Sequence, residues 1–156
     1  MAVKLAEIEN ALLAVIDAAL TYLEVCEPVS SRNMGETGII APAPSVLALY
    51  TGAAAAANDV RGLSYVYDPR WVLLAYASNL RGALAEKQGD TAPTGIKGAY
   101  DLLDDLRTAL GGKKLTFASG GGGLAVLGAE VLDSFSPEGT VYTLEVMVRT
   151  HFVNEE

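Results

Sequence analysis

The chain has 156 residues, the size of one ordinary domain, and 51% of them are hydrophobic against 19% charged, which excludes a disordered or solvating polypeptide. A net charge of −8 argues against gripping nucleic acid through phosphates, because only Lys113-Lys114 forms an adjacent basic pair. The single cysteine, Cys26, excludes an intrachain disulfide framework, and no apolar run reaches the ~18 residues that cross a bilayer.

The N-terminal apolar stretch is interrupted by Glu7, Glu9 and Asp17, so it reads as an amphipathic helix rather than a signal peptide, with synthesis in a reducing cytoplasm. Its period predicts a helix over about 3–25, with Ile8, Leu12, Val15, Ile16, Ala19 and Leu23 on one face and Pro28 as the stop. Residues 28–44 carry Gly35, Gly38 and an Ala-Pro-Ala-Pro run, and read as a long exposed excursion with one short extended piece near Ile39-Ile40. Val46 to Tyr50 is a short strand stopped by Gly52, and the Ala53 to Ala57 tract is loop or strand margin. Asp68-Pro69 marks a turn.

Residues 71–79 give the strongest strand. Trp71, Leu73, Ala75 and Ala77 fall on one face and Val72, Leu74 and Tyr76 on the other, so the strand is expected to be central and covered on both sides. After a Gly- and Pro-bearing linker at 89–93, Thr94 can cap a second helix running to Leu110, with Ile96, Tyr100, Leu103, Leu106 and Leu110 on its apolar face and Gly111-Gly112 as the stop. Residues 113–117 form a short strand candidate and lead into the glycine-rich loop 118–123; residues 124–135 are ambiguous. Residues 140–152 alternate cleanly, with Tyr142, Leu144, Val146, Val148 and Phe152 on one face and Thr143, Glu145, Arg149 and His151 on the other.

The order predicts an α+β fold: one domain over 1–156, with an antiparallel or mixed β-sheet and two helices packed on one face. Two helices cover one face only. The second face of the central strand then needs either a neighbouring subunit or a hairpin of the same chain, and both readings stand. Interface candidates on that strand, its shoulder and the last strand are Trp71, Leu73, Tyr76, Arg81 and Arg149; Arg61, Arg70 and Arg107 are further candidates for intersubunit ion pairs.

Catalytic signals are weak. Gly120 to Gly123 with Leu124-Ala125 formally satisfies G-x-G-x-x-A, which would place a pyrophosphate at a helix N-terminus, with Glu145 downstream for a ribose. Four consecutive glycines match nearly any glycine pattern, and a hairpin tip is the simpler reading. His151 is the only histidine, no G-x-S-x-G elbow occurs, and Cys26 and His151 lack metal-ligand spacing. Asp101, Asp104 and Asp105 read as a solvated helix face, and Cys26 as a small buried apolar residue. No catalytic residue, cofactor or metal is therefore expected.

The segments Ile8-Glu9-Asn10-Ala11-Leu12, Pro44-Ser45-Val46-Leu47-Ala48-Leu49-Tyr50-Thr51-Gly52, Ala77-Ser78-Asn79-Leu80-Arg81-Gly82 and Gly98-Ala99-Tyr100-Asp101-Leu102-Leu103 together resemble the Mu-like phage Gp37 family. The resemblance runs over about 5–154. It implies a tail-terminator (tail-completion) protein of a contractile-tailed bacteriophage. Such a protein forms a ring, typically hexameric, that caps the tail tube and sheath, stops their growth and offers a docking surface to the head. The implied partners are further copies of the chain, tail tube and sheath proteins and head–tail connector proteins, within a virion assembled in the host cytoplasm. DNA would pass through the lumen without specific binding, and no membrane is involved. The alternatives are another connector component (adaptor or stopper), the equivalent part of a phage-derived contractile injection particle, and, remotely, a nucleotide-binding domain built on Gly120 to Gly123.

Overall fold

The computed structural model describes residues 4–35, 38–39, 42–58, 64–77, 98–118, 122–136 and 139–153. They form two helices, α1 (Leu5–Ala19) and α2 (Ala99–Leu110), and eight strands. The strands are β1 (Val25–Pro28), β2 (Met34–Gly35), β3 (Gly38–Ile39), β4 (Ser45–Asn58), β5 (Ser64–Ala77), β6 (Lys114–Thr116), β7 (Gly122–Ser136) and β8 (Gly139–Val153). Six of them make one sheet in the order β1-β4-β5-β8-β7-β6, while β2 and β3 pair as a small hairpin. Only β1–β4 is parallel, so the sheet is mixed and the fold is α+β as expected.

Each helix opens on an acidic residue at its third position. The Glu7 carboxylate accepts the Lys4 backbone N–H at 3.0 Å, and Asp101 accepts that of Gly98 at 3.0 Å. Both helices lie on one face of the sheet. Ile8, Leu12 and Ile16 of α1 and Leu102, Leu106 and Leu110 of α2 bury against Trp71, Leu73, Ala75, Leu144, Val146 and Val148. On α2 the buried stripe includes Leu102, whereas Tyr100, expected inside, is exposed. Thr94 and Ile96 lie outside the described residues.

α1 ends six residues earlier than its period predicts. Tyr22, Leu23 and Cys26 still pack on the core, but the backbone has left the helix to reach the sheet. The Glu24 N–H donates to the Pro44 carbonyl at 2.9 Å, and Val25 to Pro28 pair with Ser45 to Ala48. Tertiary pairing overrides a local period that could have continued.

The excursion that follows is not simply exposed. Asn33 is buried: its amide donates to the Glu27 carboxylate at 2.7 Å and to the Pro28 carbonyl at 2.8 Å, and its Oδ1 accepts the Ser30 N–H at 2.8 Å. That knot folds β2 and β3 back across the sheet face opposite the helices, where Met34 and Ile39 pack on Leu47, Leu74 and Val141. A hairpin of the same chain thus covers the second face at the C-terminal half of β5. β5 itself is central, flanked by β4 and β8.

Two expected breaks are spanned by strands. β4 continues through Gly52, whose φ of 120° is open to glycine, with Thr51 bulged out and its hydroxyl donating to the Arg70 carbonyl at 3.1 Å. The Ala53 to Ala57 tract is strand as a result. Asp68-Pro69 is not a turn but lies within β5; the ladder to β8 has no pair at these two residues, consistent with the missing proline N–H, and resumes in the same register at Arg70. Residues 124–135, ambiguous from sequence, belong to β7.

Candidate assembly surface

A 15-residue strand runs about 50 Å and a 15-residue helix about 22 Å, so the helices shield only part of the long strands. What the rest presents decides what the protein can contact. Of the expected interface residues, Trp71 and Leu73 are 1% and 0% exposed and belong to the chain's own core. The Trp71 indole N–H donates to the Glu9 carboxylate of α1 at 3.0 Å, and its ring lies 5.3 Å from that of Tyr50. Tyr76 is half-buried against the outer cluster, and Arg149 is exposed, opposite Leu124 of β7. Arg81, Arg61 and the 89–93 linker lie outside the described residues.

Among the described residues, large apolar side chains reach solvent at Leu5, Leu49, Tyr50, Tyr100, Leu124, Val131 and Leu132. None of these was singled out as a contact residue from sequence. The signal existed in β7, but its alternation changes phase at a bulge. There Gly128 and Ala129 together oppose Glu145, between the pairs Leu127–Val146 and Glu130–Leu144. Counting a bulge at Gly128 would have recovered the strand.

The polar groups around these surfaces have structural partners. Arg107 forks onto Glu130 of β7 and pairs with Asp104 at 2.5 Å, which raises its pKa; it is therefore engaged within the chain. Asp105 accepts the Tyr22 hydroxyl at 2.5 Å, and burial together with that carboxylate pushes the phenol well above its usual range. With Asp101 capping α2, each carboxylate of the acidic cluster is bound to a neighbouring group. Among the described residues no three potential ligands converge on a metal site. Cys26 is half-buried on β1, 3.8 Å from the Leu13 carbonyl, and burial pushes its thiol up to about 12.

Gly120 and Gly121 of the glycine run lie outside the described residues. The described part, Gly122 and Gly123, opens β7 and pairs with Thr116 and Leu115, so a strand follows where the dinucleotide motif requires a helix N-terminus. A cavity of about 150 Å³ lies on the outer face between Arg70, Val126, Gly128, Glu145 and Met147, below the size of ordinary ligand pockets. A wider groove of about 710 Å³ between the ends of α1 and α2 is lined by Ala14, Ala18, Ala109, Gly111, Gly112 and Lys113, without convergent polar groups. No described helix is long and apolar enough to cross a membrane.

No curated protein matches the chain. Among solved structures, a chain of the "Virion of native gene transfer agent (GTA) particle" shares the fold at a TM-score of 0.53 and 12% identity, covering 94% of this chain and 96% of that one. The family described as "Bacteriophage Mu, Gp37" matches residues 4–135. That match takes in α1, the excursion, β4, β5, α2 and nearly all of β7, and by it the chain belongs to the bacteriophage Mu Gp37 family.

Proposed function

We propose that the chain is a non-enzymatic structural protein of the phage virion. In this reading it is a one-domain subunit of the ring, hexameric by family resemblance, that caps the tail tube and sheath, ends their polymerisation and forms the surface on which the head docks. The observation that carries the proposal is the end-to-end fold match with a chain of a virion particle, 94% and 96% of the two chains, within a phage family. Apolar side chains exposed on both sides of one sheet support it, since a ring subunit needs two unlike contact surfaces.

Arg149 and Tyr76 reach the surface and are proposed as contacts, together with Arg81. Trp71 and Leu73 act from beneath by holding Tyr50 and the β4–β5 pair in place. A net charge of −8 suits a lumen through which DNA slides without sticking, and an electropositive lumen in a reconstructed ring would contradict that part. The experiment is a deletion of the gene followed by electron microscopy of the particles. Overlong or headless tails are expected. Tails of normal length that carry heads would refute the role, and normal tails blocked at a later joining step would assign the chain to an adaptor or stopper instead.

A further inference from the structure

β4 and β7 are both longer than the edge strands that cap them. β1 pairs with β4 only from Ser45 to Ala48, and β6 pairs with β7 only from Gly122 to Leu124, with one more bond from the Ala125 N–H to the Lys113 carbonyl. Among the described residues, nothing pairs with the outer edge of β4 over 49–58 or of β7 over 126–136. These two free edges lie on opposite sides of the same sheet. Each leaves a row of backbone N–H and C=O groups without ladder partners.

Free edges of this length are normally blunted with charge or proline. Here residues 49–58 read LYTGAAAAAN, with no charge at all, in a chain whose net charge is −8. Residues 126–136 hold two charged groups and no proline: Glu130, which Arg107 already neutralises, and the exposed Asp133. The exposed large apolar residues sort onto the same two sides. Leu49 and Tyr50 lie on β4, and Leu5 stands one helical turn before the Glu9 that binds Trp71 beneath Tyr50. On the other side are Leu124, Val131 and Leu132 of β7, with the Tyr100 ring 6.0 Å from, and tilted against, that of Tyr142, the ladder partner of Leu132.

We propose that the 126–136 edge of one copy pairs with the 49–58 edge of the next, so that the sheet runs on from subunit to subunit. The inference rests on the reading of the chain as a ring subunit and names its contact. Two unlike edges on one chain make a head-to-tail interface, the kind that closes into rings. Ten paired residues span about 33 Å, and a sheet with one packed layer is about 20 Å deep, so each copy would bury roughly 700 Å². A stable interface typically buries about 800 Å² per partner.

The test uses the purified full chain with Val131→Lys, which charges the β7 edge, and Leu49→Lys, which charges the β4 edge. Both positions are exposed, at 56% and 43%, and thermal melts establish that each variant folds. In sedimentation the wild type is expected to assemble and each variant alone to remain a monomer. An equimolar mixture of the two should form one-to-one dimers and stop there, because only one intact pair of edges is left. The proposal is overturned if the wild type stays monomeric at high micromolar concentration. It is equally overturned if either folded variant assembles like the wild type, or if Leu49→Lys dimerises by itself, which would mean like edges pair. Rings that survive both variants would sink the edge pairing and leave the ring reading intact; normal tails in the deletion strain would do the reverse.

Discussion

Replacing Gly123 by alanine separates a packing role for the glycine run from a ligand-binding one. Gly123 lies in β7 opposite Thr150 and has no left-handed φ, so its backbone would accept a side chain. The space would not. A Cβ there would sit 2.9 Å from Phe117 Cζ, 2.9 Å from Val148 Cγ1 and 3.1 Å from the Arg149 carbonyl oxygen. Phe117 and Val148 are themselves buried, so neither yields freely. Overpacking of this kind costs about 1–3 kcal/mol. Removing a glycine from the unfolded ensemble returns about 0.4–1 kcal/mol. The net loss is therefore about 1–2 kcal/mol, a fall in Tm of roughly 2–8 °C for a domain of this size. At Gly122 a Cβ meets only the Leu115 carbonyl oxygen, at 3.3 Å on the exposed hairpin, and Gly122→Ala should be neutral within about 0.5 kcal/mol. Thermal unfolding followed by circular dichroism compares the two variants with the wild type. Equal shifts, or a Gly123→Ala protein as stable as the wild type, would refute the packing account. So would a nucleotide that stabilises the wild type and loses its effect in Gly122→Ala.

Cys26 should react with a thiol reagent at pH 8 about a thousandfold more slowly than a free cysteine, because burial, aided by Asp17 and Glu27, raises its pKa from 9.0 to about 12. A raised folded-state pKa adds stability that is complete below the unfolded value and is lost as pH climbs through the folded one. Alkaline destabilisation between about pH 9 and 12 should thus be smaller in Cys26→Ser, as measured by Tm against pH. Arg107→Met should cost no more than about 1 kcal/mol, since the guanidinium that pairs with Glu130 and Asp104 is itself about half-exposed, at 47%, and the cost should shrink in high salt; urea titrations at two ionic strengths check both. Trp71→Phe removes a buried ring edge and its hydrogen bond to Glu9, and should lower stability by about 2–4 kcal/mol in the same assay.

Elements with an uninterrupted period were legible in the sequence: the core face of α1, the centrality of β5 and the alternation of β8 all follow from burial patterns of 3.6 or 2. Where a strand carries a bulge, the period fails and so does the reading, as at Thr51-Gly52 in β4 and Gly128-Ala129 in β7. The end of α1 was hidden for another reason. Leu20, Tyr22 and Leu23 remain on the core side after the helix stops, so burial continues while the secondary structure changes. The excursion's role turned on one residue, Asn33, whose amide can serve a loop or a buried knot equally well until its partners on Glu27 and Pro28 are known. For the candidate contacts, side-chain type pointed to Trp71 and Leu73, the most apolar strand positions. Those are the residues a core claims first, and surface is left to flanking positions such as Leu49 and Val131, which sequence pattern alone does not rank.

The most direct test of assembly at the tail end is a cryo-electron-microscopy reconstruction of the neck of the assembled particle. A closed ring of copies of this chain is expected at the head-proximal end of the tail tube. Density for the chain elsewhere in the particle, in single dispersed copies, or nowhere in it would contradict a role at the tail end.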